Sequence, residues 1–378
     1  LLSIEKPKLE TFGRQTKISA KFTINDKENE LYFEVPSDYK DFLVTENLDA
    51  FLVGLLFLAL KTGNDIKLNG PVSARLYYSI RHYVIPALCM ANPKLKPVDI
   101  NPQGLNEKDL NVAATSGTGL SCGVDSFATY FDHIDESGSF KIEYFAFFNV
   151  GSHGAGGEET KKLFESRFEK AKKFANTVNK NIIQVDSNLH EILDMKFQST
   201  NTLRNVSCIL LFQKLFKHYY IASKNRFDYF ELNDYDTQDY DALVLNLLST
   251  ESTNLYSAVA QLSRVERTNL ISNFPETYDF LDVCTSSKKY KAGVNCSQCN
   301  KCLRTALTLD LLGKLPLYKD VFHIEKYERL KHNYIWHVIT NKNKDQIHRN
   351  LYRLIKNKKA MDYTKIAISR AKVKLKGR

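Results

Sequence analysis

The chain has 378 residues, 43% hydrophobic and 25% charged, enough to bury a substantial core across two domains with an appendage. No apolar run reaches the roughly 20 residues that a membrane span needs; the longest, Ala50 to Leu60, suits a buried core helix. The net charge of +10 is unevenly spread: the segment 315–378 holds 17 Lys and Arg against 5 Asp and Glu, which leaves the preceding 314 residues at about −2.

In chain order, "KISAKFTIN" and "ELYFEV", split by the polar "DKEN", predict a β-hairpin between Lys17 and Val35. The apolar helix of Ala50 to Leu60 stops at Gly63, a short strand "DIKL" follows, and a helix opens near Ser73. Polar and Pro-containing residues from Asn92 to Lys108 read as a linker with at most one short strand, which sets a domain boundary near 108. From Asn111 strand and helix alternate: "NVAAT" and "GLS" into a helix from Gly123, the strand "YFAFFNV", a helix face on Leu163, Phe164, Phe168, Ala171, Phe174 and Ala175, the strand "IIQV", a helix from Leu203 to His218, and the strand "YYIAS". Such alternation predicts an α/β fold with a parallel sheet covered on both faces. The expected domains are 1–108 (α+β), 109–314 (parallel α/β) and 315–378 (a basic helical extension). In parallel sheets ligands bind beyond the carboxyl ends of the strands, here the loops after Leu120, Val150, Asp186 and Ser223.

The loop "TSGTGLSCGVDS" is rich in small residues at a strand-to-helix turn, where backbone N–H groups and the helix N-terminus favour an anion. A Walker A loop is excluded, because no Lys occurs between Lys108 and Lys141. "GTGLSC" misses the dinucleotide fingerprint at Cys122. "SCGVDS", Ser121 to Ser126, resembles the S-G-G-x-D-S signature of the PP-loop ATP pyrophosphatases, with Cys122 in place of the first Gly of the pair. The resemblance implies a Rossmann-like nucleotide-binding domain in which Ser121, Cys122, Gly123, Val124, Asp125 and Ser126 bind ATP, with Asp125 and Ser126 acting in catalysis. Asp125 is expected to cap the helix or help hold Mg²⁺ against the β- and γ-phosphates. At Cys122 two readings stand: a tolerated small residue, or a nucleophile whose thiol pKa is lowered at a helix N-terminus.

Seven cysteines, an odd number with four clustered late, suit a reduced cytoplasm and a metal site rather than a disulfide framework. Cys284, eleven residues, then Cys296, Cys299 and Cys302 at C-x₂-C-x₂-C match a tetrahedral Zn²⁺ site, with an iron–sulfur cluster as the alternative. A PP-loop followed by this cluster resembles the 7-cyano-7-deazaguanine synthase (QueC-like) family over about residues 111 to 313. "GSH", Gly151 to His153, looks like that family's strand-end Gly-x-x-His, one residue shorter, and "TLRN", Thr202 to Asn205, is similar to its Arg-Asn pair. "SRVER", Ser263 to Arg267, sits where the family has Lys-x-Glu-Ile. Gly151, His153 and Asn205 are thereby expected to bind substrate, and Arg204 to act in catalysis by neutralising a phosphate or carboxylate. Bland alternatives are a loop-capping His153 and a salt-bridged Arg204. The acidic run Glu231 to Ala242 either binds Mg²⁺ or an amine or is a solvated loop, and Leu247 to Thr253 is a candidate lining for an acceptor pocket.

The resemblance implies a cytoplasmic ATP-dependent ligase with ATP, Mg²⁺ and Zn²⁺ as cofactors. It adenylates a small-molecule carboxylate, releases pyrophosphate and passes the acyl group to ammonia or an amine. The family lacks the first 108 residues and the basic tail, which points to a different acceptor. Two rivals are a PP-loop enzyme that modifies tRNA or another nucleic acid, using the tail to attract a protein or RNA, and a non-catalytic nucleotide-binding assembly protein.

Overall fold

The computed structural model describes residues 1–154, 157–284 and 294–376. Eleven strands form one mixed sheet: β1 (Leu2–Ile4), β2 (Lys8–Phe12), β3 (Gln15–Ile24), β4 (Lys27–Pro36), β5 (Ile66–Ser73), β6 (Ile100–Asn106), β7 (Thr115–Gly119), β8 (Ile142–Asn149), β9 (Asn181–Ser187), β10 (Phe216–Ala222) and β11 (Asn254–Ala258). Their order is β11-β10-β7-β8-β9-β4-β3-β1-β5-β6, with β2 on β3. From β11 to β9 every pairing is parallel. The α/β class read from the sequence therefore holds.

The predicted hairpin is β3 and β4, joined by Asn25 and Asp26 at φ 51° and 61°, the two positive-φ positions of a type I′ turn. The all-round apolar helix runs Asp49–Thr62 and ends on Gly63 at φ 70°, a left-handed cap. It packs against the helix Asn201–Leu210 through a close approach at Gly54, where a Cβ would stand 2.8 Å from Ser207 Oγ. The helix expected over Leu203 to His218 stops at Leu210, and Phe216 to His218 open β10 instead. The run 206–216 is apolar nearly throughout, so periodicity alone does not mark where helix gives way to a buried strand.

The chain forms two compact units that do not follow boundaries at 108 and 314. The first comprises Leu1–Gly119, His133–Phe168 and Lys180–Ala260, and holds the whole sheet. The N-terminal strands join the parallel ones through β4 and β9, paired antiparallel at Phe33↔Ser187 and Glu34↔Asp186. Asn188 extends this short ladder by bonding both Tyr32 N and Glu30 O, at 3.0 and 2.8 Å. Within the parallel part, β7 comes first in the chain yet sits centrally, with β8 on one side and β10 on the other. That is the topological switch point of a doubly wound sheet.

The second unit comprises Leu120–Asp132, Glu169–Asn179 and Gln261–Arg378. Its core is aromatic: Phe127 packs on Phe174 with centroids 4.6 Å apart, Phe131 stacks on Phe274 at 4.0 Å, and Phe174 meets Phe280 edge-on at 5.7 Å. The basic tail belongs here as the helices Ile324–Thr340, Gln346–Asn357 and Tyr363–Lys376. No helix among the described residues is long and apolar enough to cross a membrane.

Candidate active site and metal centre

Directly after β7, residues 120–123 turn the chain into the helix Val124–Asp132. Cys122 adopts φ 56°, the left-handed region that favours glycine, and its carbonyl accepts from Asp282 N at 2.7 Å. A Cβ on Gly123 would meet Ser121 Oγ at 3.2 Å and Asp282 O at 3.5 Å, so the turn is closely filled. Ser126 Oγ donates to Gly123 O at 3.1 Å and accepts from Ser121 N at 3.3 Å, which ties the loop to the helix start. Phe127 N makes the first i→i−4 bond, to Gly123 O. The amides of Val124, Asp125 and Ser126 thus precede the helical ladder, at the positive end of the macrodipole.

Asp125 stands in this first turn, and both its oxygens are engaged: Arg267 Nη1 reaches Oδ1 at 2.8 Å and Arg264 Nη2 reaches Oδ2 at 2.7 Å. Burial alone would raise the Asp125 carboxyl, but the Arg264, Arg267 and Arg304 charges outweigh it and hold the group below the usual carboxylate range. The two arginines are placed by a capping box, in which Ser263 and Glu266 bond each other's main chain and start the helix Arg264–Ile271. Burial and the Arg304 and Arg267 charges bring the Arg264 guanidinium down to about 10, against the opposing pull of Asp125. Burial, then Arg264 and Arg304, likewise depresses Lys301. Arg264 Nε and Arg304 Nε are buried with no hydrogen-bond partner among the described residues. Buried donors are ordinarily partnered, so these two, in a cluster whose one carboxylate among the described partners is Asp125, are open to an acceptor.

The Cys122 side chain is 1% exposed, and burial pushes its thiol up to about 12, with a smaller downward pull from Lys170. It is therefore neutral near pH 7. Burial overrides the helix N-terminus, and the nucleophile reading falls; what Cys122 offers at the loop is its main chain.

Cys284, Cys296, Cys299 and Cys302 bring their sulfurs within 4.8 Å of one another, close enough to hold one metal ion. Cys296 and Cys302 are 3.8 Å apart and Cys299 and Cys302 3.4 Å, near the roughly 3.8 Å edge of a tetrahedron with 2.3 Å metal–sulfur bonds. Ser297, at φ 56°, makes the tight knuckle between the second and third ligands. Cys299 is the N-cap of the helix Asn300–Leu311 and Cys302 lies in its first turn. The cysteine cluster thus sits at the start of the helix that carries Lys301 and Arg304.

The remaining expected residues lie in the sheet-bearing unit. Gly151 has φ 109°, and a Cβ there would stand 2.7 Å from both Arg204 Nη1 and His190 Nδ1. Arg204 is fully buried and internally committed. Its Nε donates to Thr200 Oγ1 at 2.7 Å, Nη1 to Val150 O at 2.8 Å, and Nη2 to Met195 O at 2.9 Å; Nη1 also faces His190 Nδ1 at 2.8 Å. These bonds clamp the Val150–Gly151 turn. His153 packs beside Phe147 and Phe164 and bonds Ser152 Oγ at 3.0 Å; burial, then the Arg167 charge, lowers it to about 4, so it is neutral. Asn205 Nδ2 bonds back to Asn201 O at 2.8 Å. In the acidic run, Lys224 Nζ fills the place a cation would take, 2.9 Å from Asp236 Oδ2 and 2.6 Å from Asp239 Oδ1.

No family model, curated protein or solved structure matches the chain. The cation cluster was only half visible in the sequence. Arg264 and Arg267 lie in the "SRVER" segment, whose Ser-x-x-Glu spacing is a helix-start signal. Lys301 and Arg304 share an i, i+3 face on the helix that begins at the cysteines, a spacing that could have drawn attention to them.

Proposed function

We propose that the chain is an ATP-dependent enzyme of the PP-loop class, which activates a carboxylate by adenylation. The observation that carries this reading is the pair of buried, unpartnered Nε donors of Arg264 and Arg304 around Asp125, beside a left-handed turn that follows the strand at the switch point. The resemblance of Ser121 to Ser126 to the pyrophosphatase signature agrees with it, as does the glycine-like conformation of Cys122 where that signature has glycine. Main-chain amides of the loop and the first helical turn receive the β- and γ-phosphates, and Arg264, Lys301 and Arg304 neutralise them. Asp125 orients Arg264 and Arg267. Mg²⁺ would accompany the nucleotide as its counter-ion.

In the reaction, a substrate carboxylate oxygen attacks the α-phosphorus, the α–β anhydride bond breaks, and pyrophosphate leaves. Ammonia or an amine then attacks the acyl carbon and expels AMP, giving an amide. A second activation, on the amide oxygen, would lead to a nitrile. Fixed cations and dipoles stabilise the charge that moves onto the leaving pyrophosphate. Cys284, Cys296, Cys299 and Cys302 would hold a metal ion such as zinc, which would supply a structural anchor for the start of the helix that carries Lys301 and Arg304. Pyrophosphate release from ATP, measured across a panel of carboxylic acids with and without ammonia, tests the reading. Acid-dependent release that disappears in Arg264→Met supports it, and no release with any acid counts against it.

A further inference from the structure

We infer that the outer face of the helix Gln346–Asn357, continued by the segment 358–365, is a binding surface for single-stranded nucleic acid. Asp345 caps the helix by accepting from His348 N, and Leu351 and Ile355 bury its apolar side. On the other side Arg349, Arg353 and Lys356 are exposed at i, i+4 and i+7. At 1.5 Å per residue this is a stripe of charges spaced about 4.5–6 Å along the axis. Lys358 and Lys359 extend it, and none of these five cations forms a salt bridge among the described residues. Between 341 and 365 the sequence holds eight Lys and Arg against two Asp. Asp345 is turned onto His348 Nδ1 at 2.8 Å, and Asp362 is 3.4 Å from Lys365 Nζ. Eight cations against two carboxylates leave the stretch at a net +6.

The kind of polyanion follows from what accompanies the charge. Tyr363 is 62% exposed among these cations, and Lys342 Nζ lies 5.1 Å from the centre of the half-buried Tyr352 ring. Unpaired cations beside an exposed ring, Tyr363, suit a strand whose phosphates are tracked and one of whose bases stacks. A membrane would require a free apolar face, and Leu351 and Ile355 have already spent theirs inside the protein. An acidic peptide would leave the exposed ring without a stacking partner. This surface stands on different residues from the nucleotide loop, so either assignment can fail alone.

The test is fluorescence anisotropy of the full chain with labelled single strands of about 20 nucleotides, RNA and DNA in parallel arms, over a salt series from about 50 mM. Binding should weaken steeply with salt. The triple variant Arg349→Glu/Arg353→Glu/Lys356→Glu should bind at least tenfold more weakly, and removing three phosphate contacts should reduce the log–log salt slope by about 2. Tyr363→Ala should weaken binding several-fold with the slope unchanged. Lys8→Glu/Lys27→Glu, exposed on the N-terminal hairpins, should change nothing. If circular dichroism shows the charge reversals unfolded, Arg349→Gln/Arg353→Gln/Lys356→Gln replaces them and the slope is read there. Three results would overturn the assignment: no binding at the lowest salt, full affinity in the folded triple variant, or competition by polyglutamate or anionic vesicles equal to that of unlabelled RNA.

Discussion

Arg267, 1% exposed, reaches Asp125 Oδ1 with Nη1 at 2.8 Å, so the carboxylate of the turn after β7 is held by a helix that starts more than a hundred residues later. Arg264 takes the other oxygen, and together they make Asp125 the organiser of the cation cluster.

Replacing Asp125 with Asn should therefore act on stability as well as on chemistry. Two guanidiniums lose their counter-charge, for a loss of about 2–3 kcal/mol, below that of a fully buried pair because Asp125 is 27% exposed. The folded carboxyl is depressed, so its contribution is whole above its unfolded value near pH 4 and fades as pH falls through the lower folded value. Urea unfolding from pH 2 to 7 should show the wild type losing more stability below pH 4 than Asp125→Asn. Parallel acid limbs would mean that the pairing contributes nothing.

At Cys122 the backbone and the side chain make separate predictions. Cys122→Gly removes a left-handed non-glycine residue but also a buried side chain, so its melting temperature should stay near that of the wild type. Cys122→Val places a β-branched residue at positive φ and should cost about 1–3 kcal/mol. In native protein at pH 8, mass spectrometry after iodoacetamide should find Cys122 unlabelled, since burial closes off the thiol and pushes it up to about 12. Rapid labelling there would restore the nucleophile.

Metal analysis of purified protein should give one zinc per chain, and Cys296→Ser or Cys299→Ser should lose it. Because Cys299 caps the helix that bears Lys301 and Arg304, chelation should also weaken ATP binding at least tenfold. Unchanged ATP affinity in metal-free, folded protein would separate the centre from the cation cluster.

Much of this arrangement could be read from residue order, and the part that could not has a physical cause. The loop at 121–126, the cysteine spacing and the alternation of strands are local patterns, each set by a few neighbouring residues. The ion pairs of Asp125 with Arg264 and Arg267 depend on chain return over more than a hundred residues, which no periodicity encodes. Arg204 is the opposite case. A lone arginine after a strand looks like an anion ligand until its partners Thr200, Val150 and Met195 are seen to use its donors. The boundary drawn at 108 followed a change in composition. The sheet crosses it, because β4 pairs with a strand some 150 positions later.

Asp241 supplies a pH signature independent of the site. Its carboxyl is fully buried, bonded by Thr202 Oγ1 at 2.6 Å, and raised to about 7 by burial and by Asp236 and Asp239. An acid with a raised folded pKa binds its proton more tightly in the folded state, so stability falls as pH rises from about 4 to 7. Asp241→Asn should remove a loss on the order of 3 kcal/mol over that range, read from urea midpoints at each pH. An identical pH dependence in the variant would show that Asp241 is ionised throughout.

Titration of ATP·Mg²⁺ into wild type, Arg304→Met and Arg204→Met bears most directly on the central claim, that the cations around Asp125 await a polyphosphate. Wild type should bind ATP one to one and AMP far more weakly. Arg304→Met should lose at least tenfold in ATP affinity while keeping its fold, whereas Arg204→Met should lower the melting temperature and leave the affinity of the folded fraction within about threefold. Equal ATP affinity in wild type and Arg304→Met, or no discrimination between ATP and AMP, would contradict the account.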